Sequence, residues 1–329
     1  MSELPRVAVL DTGYESFAYE EQLLSRNGYQ FDVWPGENGD VEGKIRFAAG
    51  SDGLFIRWTE VDARFLEQLP GLRAIVRYGV GFENIDVDAV TRAGVKVCNV
   101  QNYGNHAVSD HALALMYACA RGLVRGEKSI RESFGAPPFR PIVEFHDKTI
   151  GIVGLGRIGG TLCGKVSHLF SRVLANDPYI EAARFLDLGA EKVAFDELCS
   201  LSDVISIHCN HTKETAGLFD REVFSKMVRH PIFINTARGP IVDDTDLIAA
   251  LDGEQIHSAG IDVYDTELAD ELPERLIEHP RAITTGHYAW YSERSHVELQ
   301  RRAADNLLSM LQGGTPDDCL NPEVDIAEK

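Results

Sequence analysis

The sequence predicts an α/β protein with parallel sheets, and three observations carry that reading. Short apolar runs alternate with stretches of helical periodicity. The runs are near-continuously apolar, as strands covered on both faces are. One of them, Thr149 to Gly154, leads into a glycine-rich turn and then a helix. A chain of 329 residues has room for about two domains, and the pattern divides into two doubly wound units.

In the first unit, Arg6 to Leu10, Gly53 to Trp58, Leu72 to Val76 and Val95 to Cys98 read as strands, with helices such as Tyr19 to Arg26 and Val61 to Gln68 between them. A second series runs through Thr149 to Gly154, Arg172 to Asn176, Val204 to His208, Ile232 to Asn235, Ala259 to Val263 and Ala282 to Thr285. Six strands at this rhythm match a doubly wound dinucleotide sheet. Helices fall between them at Arg157 to Phe170, Glu181 to Leu188, Phe195 to Leu201, Arg221 to Val228 and Thr245 to Leu251. Asp243 and Asp244 offer N-cap oxygens to the last of these, and Gly253 a stop. Long helices at His106 to Arg121 and Ser292 to Leu311 flank the second series, which therefore reads as a domain inserted into the first. The expected outer domain is 1–103 with 291–329, and the inserted domain is 104–290. Gly135 to Pro141 reads as a surface excursion.

Composition excludes other classes. With 44% hydrophobic and 25% charged residues the chain is not a disordered one. A formal charge of −19 argues against a binder of nucleic-acid backbones. The longest apolar run, Ala112 to Ala120, is too short to cross a bilayer, and no secretory signal is visible at the N-terminus. The six cysteines form no CxxC pair, so reduced thiols and a cytoplasmic location are expected. His208 and His211 form an HxxH pair without a third ligand at metal-site spacing, so no metal is expected.

The turn Gly154-Leu-Gly156-Arg-Ile-Gly159 is a GxGxxG motif in the right context, after a strand and opening a helix. Gly154 permits the tight turn, Gly156 lets a pyrophosphate approach the backbone, and Gly159 allows close helix–strand packing. The free amides at the helix start face the anion. Asp177 ends the next strand eighteen residues beyond Gly159, where a carboxylate takes the ribose hydroxyls and repels a 2′-phosphate. No basic residue follows until Arg184, so NAD is expected over NADP.

Hydride transfer to a 2-oxo acid needs a cation for the substrate, an acid for the nascent alkoxide and a group that keeps the acid charged. Arg238, Glu267 and His287 each follow a strand of the second series at its carboxyl end, where open α/β sheets bind ligands. An adjacent carboxylate favours imidazolium.

With Arg77-Tyr-Gly-Val-Gly-Phe-Glu-Asn-Ile-Asp86, the Gly154 fingerprint, Asn235-Thr-Ala-Arg-Gly239, the Asp262 to Glu267 segment and His287 in this order, the chain resembles the D-2-hydroxyacid dehydrogenase family over almost its whole length. Within it, His287-Tyr-Ala-Trp290-Tyr-Ser-Glu293 and Asn176-Asp-Pro-Tyr179 resemble the branch of the C-terminal-binding-protein corepressors and their bacterial relatives. The resemblance implies a Rossmann domain inserted in a flavodoxin-like substrate domain, a homodimer, NAD as cofactor and a small 2-oxo or 2-hydroxy acid as substrate. It gives Arg238 the role of orienting the substrate, His287 that of acid/base and Glu267 that of its carboxylate partner. For the cofactor it implies Gly154, Gly156, Arg157, Ile158, Gly159, Asp177, His208, Cys209, Asn210, Thr236, Ala237, Asp262 and Val108. For the substrate it implies Arg77, Val80, Gly81 and Trp290. A rival expectation from the same branch is an NAD(H)-sensing binding protein with vestigial activity.

Overall fold

The structure, a computed structural model, describes residues 4–132, 141–265 and 274–326. Two compact units divide the chain, Met1–Gly104 with Ser292–Lys329, and Asn105–Tyr291. In the first unit the strands are β1 (Arg6–Val9), β2 (Gln30–Val33), β3 (Gly53–Ile56), β4 (Ala74–Arg77) and β5 (Lys96–Cys98). Helices α1 (Ala18–Arg26), α2 (Val41–Ala48), α3 (Ala63–Glu67) and α4 (Val87–Arg92) connect them. The second unit opens with α5 (Asn105–Arg121) and α6 (Leu123–Glu132). Its strands are β6 (Thr149–Val153), β7 (Arg172–Asn176), β8 (Glu191–Lys192), β9 (Val204–Ile207), β10 (Ile232–Asn235), β11 (Ser258–Ile261) and β12 (Ala282–Thr284). Its remaining helices are α7 (Arg157–Val166), α8 (Ala182–Leu188), α9 (Phe195–Leu201), α10 (Arg221–Ser225), α11 (Asp244–Asp252) and α12 (Glu274–Ile277). The long helix α13 (Glu293–Leu311) returns to the first unit.

The first sheet is parallel with order β2-β1-β3-β4-β5, a flavodoxin-like winding whose switch point lies between β1 and β3. β2 was not among the expected strands. It is an edge strand with no fully buried residue, so it lacks the continuous apolar run that marked the others. α13 starts at a capping box in which Ser292 and Ser295 each bond the other's backbone. It packs across β3 so closely that a Cβ on Gly53 would lie 3.2 Å from Leu311.

The second sheet is also parallel, with order β12-β11-β10-β9-β6-β7-β8. It has seven strands where six were expected. The addition, β8, is two exposed residues on the β7 edge, too short and polar to register as a strand in sequence. The winding reverses between β6 and β9, which places the glycine turn at the switch point. α11 also differs from expectation. Asp243 alone is its N-cap, accepting from the Asp246 amide, while Asp244 is the first helical residue. Most of the predicted excursion at Gly135 to Pro141 lies outside the described residues.

Beyond β1 the buried carboxylate of Asp11 accepts from the Arg57, Trp58 and Thr59 amides at 2.6, 2.9 and 3.0 Å and pairs with buried Lys44. It thereby shapes the loop after β3. Burial alone would raise this carboxyl, but the Lys44 hydrogen bond, the amides and the Lys44 charge outweigh it and hold it below the ordinary Asp value. Its stabilising effect is therefore present above the unfolded-state pKa and is lost as pH falls through the lower folded value. Asp11→Ala should lower the unfolding free energy by about 3–5 kcal/mol, since it leaves Lys44 buried and unpaired. Urea titration at neutral pH checks this, and the deficit of the variant should narrow in strong acid.

Candidate active site

The glycine turn is built by close approaches. Gly154 has φ +89°, and a Cβ there would lie 2.5 Å from the Cys209 amide. A Cβ on Gly159 would lie 2.0 Å from the Gly154 carbonyl oxygen. Gly156 differs: its Cβ would meet nothing within 4 Å, so it leaves open space beside the start of α7. Gly156 is also the N-cap of α7 and gives that helix no side-chain cap, which leaves the first amides directed at this space. Asp177 is buried and fixed, one carboxylate oxygen accepting from the Leu155 amide at 2.8 Å and the other from Tyr179 at 2.9 Å.

On the neighbouring strands, Ile207 and Asn235 are register partners, so His208 and Thr236 follow side by side. His208 Nε2 bonds the Ser206 hydroxyl at 2.8 Å. Burial lowers the imidazole pKa to about 3, so the ring is neutral. Its Nδ1 and the Thr236 hydroxyl are buried and have no hydrogen-bond partner among the described residues. A bare helix N-terminus, an open space at Gly156 and two adjacent orphaned polar atoms fit a bound dinucleotide.

The loops after β10, β11 and β12 form one framework. Asn235 Nδ2 donates to the Arg238 carbonyl at 3.0 Å, and Asn235 Oδ1 accepts from the Ala237 amide. Half-buried Arg238 is followed by Gly239, where a Cβ would lie 1.9 Å from the Tyr264 carbonyl carbon. Only glycine lets these two loops touch. The Tyr264 hydroxyl then donates to the Thr285 carbonyl at 2.8 Å. Asp262, fully buried, accepts from the Thr285 hydroxyl and from the Tyr288 and Ala289 amides, and its own carbonyl takes the His287 amide. His287 is exposed, has φ +53°, and its carbonyl accepts from Trp290 Nε1 at 3.0 Å.

Asp262 thus holds the loop that carries His287. Sequence reasoning missed several members of this framework. His111 bonds the Thr285 hydroxyl at 3.0 Å and lies 3.6 Å from the Asp262 carboxylate. The contact spans 174 positions, and no local pattern announces it. Asp244 is raised to about 6 by burial, with the Asp265 carboxylate adding to the effect. Glu267 lies outside the described residues, and Val108 is buried on α5.

In the first unit, Arg77 folds its guanidinium over Gly79, whose φ is +122° and whose Cβ would lie 2.1 Å from the Arg77 nitrogen. The Gly79 carbonyl accepts from the Val100 amide and the Val80 carbonyl from Asn99 Nδ2. The loop carrying Val80 and Gly81 therefore hangs on the residues after β5. Arg57 lies 4.3 Å from the Trp58 ring and 5.5 Å from the Tyr14 ring.

A model of the D-isomer specific 2-hydroxyacid dehydrogenase NAD binding domain matches residues 113–289. The chain is 37% identical over 281 residues to D-3-phosphoglycerate dehydrogenase of Mycobacterium bovis, covering 85% of this chain and 52% of that one. It is 33% identical over 322 residues to glyoxylate/hydroxypyruvate reductase B of Escherichia coli, covering 93% and 97%. The apo-structure of D-lactate dehydrogenase from Escherichia coli superposes with a TM-score of 0.82 at 29% identity, covering 96% of this chain and 100% of that chain. The chain spans about half the length of the phosphoglycerate dehydrogenases it matches.

Because Asp177 both caps the Leu155 amide and presents its charge, two substitutions separate these effects. Asp177→Ala should weaken NADH binding by about 1–3 kcal/mol, through lost charged hydrogen bonds and a loosened turn. Asp177→Asn keeps an acceptor for Leu155 and should chiefly narrow the preference for NADH over NADPH. Fluorescence titration with both nucleotides checks the pair.

Proposed function

The chain belongs to the D-isomer specific 2-hydroxyacid dehydrogenase family, and from this we propose that it is an NAD-dependent oxidoreductase interconverting a small 2-oxo acid and its D-2-hydroxy acid. One observation carries the reading: Arg238 and His287 leave separate strands of a single sheet, and one hydrogen-bonded framework fixes both loops.

Gly154, Gly156, Gly159 and the amides of Arg157 and Ile158 would hold the pyrophosphate, and Asp177 the adenosine ribose. Val108, His208, Cys209, Asn210, Thr236 and Ala237 would line the rest of the cofactor. NADH, when bound, supplies the hydride. Arg238 orients the substrate and draws electron density toward its carbonyl oxygen. Arg77 and the Val80 and Gly81 amides take the substrate carboxylate. In reduction His287 gives its proton to the alkoxide, and in oxidation it removes the hydroxyl proton. Glu267 is the proposed carboxylate partner of that imidazole, and Trp290, tied to the His287 carbonyl, limits the substrate side chain.

The placement in the branch of the C-terminal-binding proteins rests on the segments around Trp290 and Tyr179. A homodimer is part of the same proposal, and exposed Tyr117, Leu123, Val124 and Ile130 on α5 and α6 support it. Six free cysteines suit a reducing cytoplasm.

Steady-state oxidation of NADH with a panel of 2-oxo acids tests the activity. Tight NADH binding without turnover on any of them would favour the NAD(H)-sensing reading instead. His287→Ala should lose about 10²–10⁴-fold in turnover with NADH affinity little changed. Glu267→Gln keeps the shape but deletes the charge, so the pH profile for reduction should move toward acid. A profile matching the wild type would break the proposed pair.

A further inference from the structure

The six cysteines are not equivalent. Cys119 and Cys199 are buried, and burial pushes their thiols up to about 12. Burial raises Cys209 to about 11. Cys98, at the end of β5, and Cys319, in the segment after α13, differ because they face one another across an antiparallel bridge. The Leu320 amide donates to the Val97 carbonyl at 2.9 Å, one residue out on each side. Cys98 and Cys319 are therefore a non-hydrogen-bonded cross-strand pair, the position where Cα atoms approach to about 4.5 Å and side chains are closest. That spacing lies inside the range a disulfide spans. Bonds on both sides hold the register: Asn321 bonds Val97, Val95 and Thr91, and Asp318 accepts from the Gln101 amide.

We propose that Cys98 and Cys319 are a reversible redox pair, a dithiol that peroxide converts to a disulfide joining the C-terminal segment to β5. Cys319 is the attacking sulfur. It is half-exposed, and the hydrogen bond from Cys98 holds it below the ordinary thiol range against the opposing effects of burial and Glu323, with Lys96 assisting. Its thiolate attacks one peroxide oxygen, the S–O bond forms, the O–O bond breaks, and hydroxide leaves. Cys98 is buried, with its sulfur 3.3 Å from Met310 Sδ, and stays protonated until it attacks the sulfenic sulfur. The S–S bond then forms, the S–O bond breaks, and the departing hydroxide takes the Cys98 proton as water. Two thiols and one peroxide give one disulfide and two waters, each sulfur losing one electron to the peroxide oxygens. The next residues, Asn99 and Val100, hold the Gly79–Val80 loop, so the pair lies beside the proposed substrate carboxylate site.

Native protein treated with stoichiometric hydrogen peroxide, alkylated and digested should yield one linked peptide containing Cys98 and Cys319. Two thiols per chain should be lost and then regained with dithiothreitol. C319S, at a half-exposed position, should keep its fold and lose the rapid reaction. C98A should halt at sulfenic acid on Cys319, which dimedone traps. Should C98A fail to fold, the wild-type peptide map decides alone. Cys319 running on to sulfinic acid without linkage, or both thiols surviving peroxide, would overturn the proposal.

Discussion

Backbone amides in the loops at the carboxyl ends of the strands have no ladder to bond to, and buried aspartates satisfy them in both sheets. Asp11, beyond β1, takes three amides from the loop after β3; Asp177, beyond β7, takes those of Leu155 after β6 and of Tyr179; and Asp262, beyond β11, takes two after β12. A buried amide without a partner costs about 1–3 kcal/mol, whereas a bond to an ionised acceptor is stronger than a neutral one. Loops that would otherwise sample many conformations are thus held in one. At α7 the pattern is withheld. Gly156 offers no side chain to the helix start, and the amides left over are the ones a pyrophosphate would take.

The same constraint explains the backbone of His287. A non-glycine residue at φ +53° sits in a sparsely populated region, tolerated when its surroundings over-determine it. Here the amide of His287 is bound by the Asp262 carbonyl and its carbonyl by Trp290, while Tyr264 holds the Thr285 carbonyl and the Asp262 carboxylate the Tyr288 and Ala289 amides. The imidazole is presented to solvent from a peptide unit that cannot turn. If His287 is the proposed acid, held this way it need not reorganise before it gives up its proton, which is what electrostatic preorganisation requires.

Which parts of this were legible in the sequence follows from how far apart the interacting residues lie. The Gly154 turn, its strand and its helix are contiguous, so their pattern is local. β7 and β10, with buried apolar runs, begin and end where the sequence placed them, whereas β2 and β8, at sheet edges, carry no such run. Arg238 and His287 are visible because each follows a strand. Their support is invisible, since His111 meets Thr285 only after folding, just as Asp11 meets Lys44 in the first unit. Gly239 was readable as part of a motif, but the reason for it, the Tyr264 backbone pressed against it, belongs to the tertiary structure.

A formal charge of −19 stands against the proposed binding of an anionic substrate and a dinucleotide, and the placement of the acids resolves this. Beyond about 8–10 Å, salt screens exposed carboxylates, so the distant surface contributes little to the local field. Close in, the charge of Asp11 is met by Lys44 and three amides, and that of Asp262 by two amides and a hydroxyl. Near the strand ends of the second unit stand the guanidinium of Arg238 and the amides that open α7. In the first unit the corresponding groups are Arg57 and Arg77. Asp177 is the carboxylate proposed to face the nucleotide, where its negative charge would discriminate between ligands that differ by a phosphate. The acidity of the chain and its proposed affinity for anions are therefore compatible, because they act over different distances.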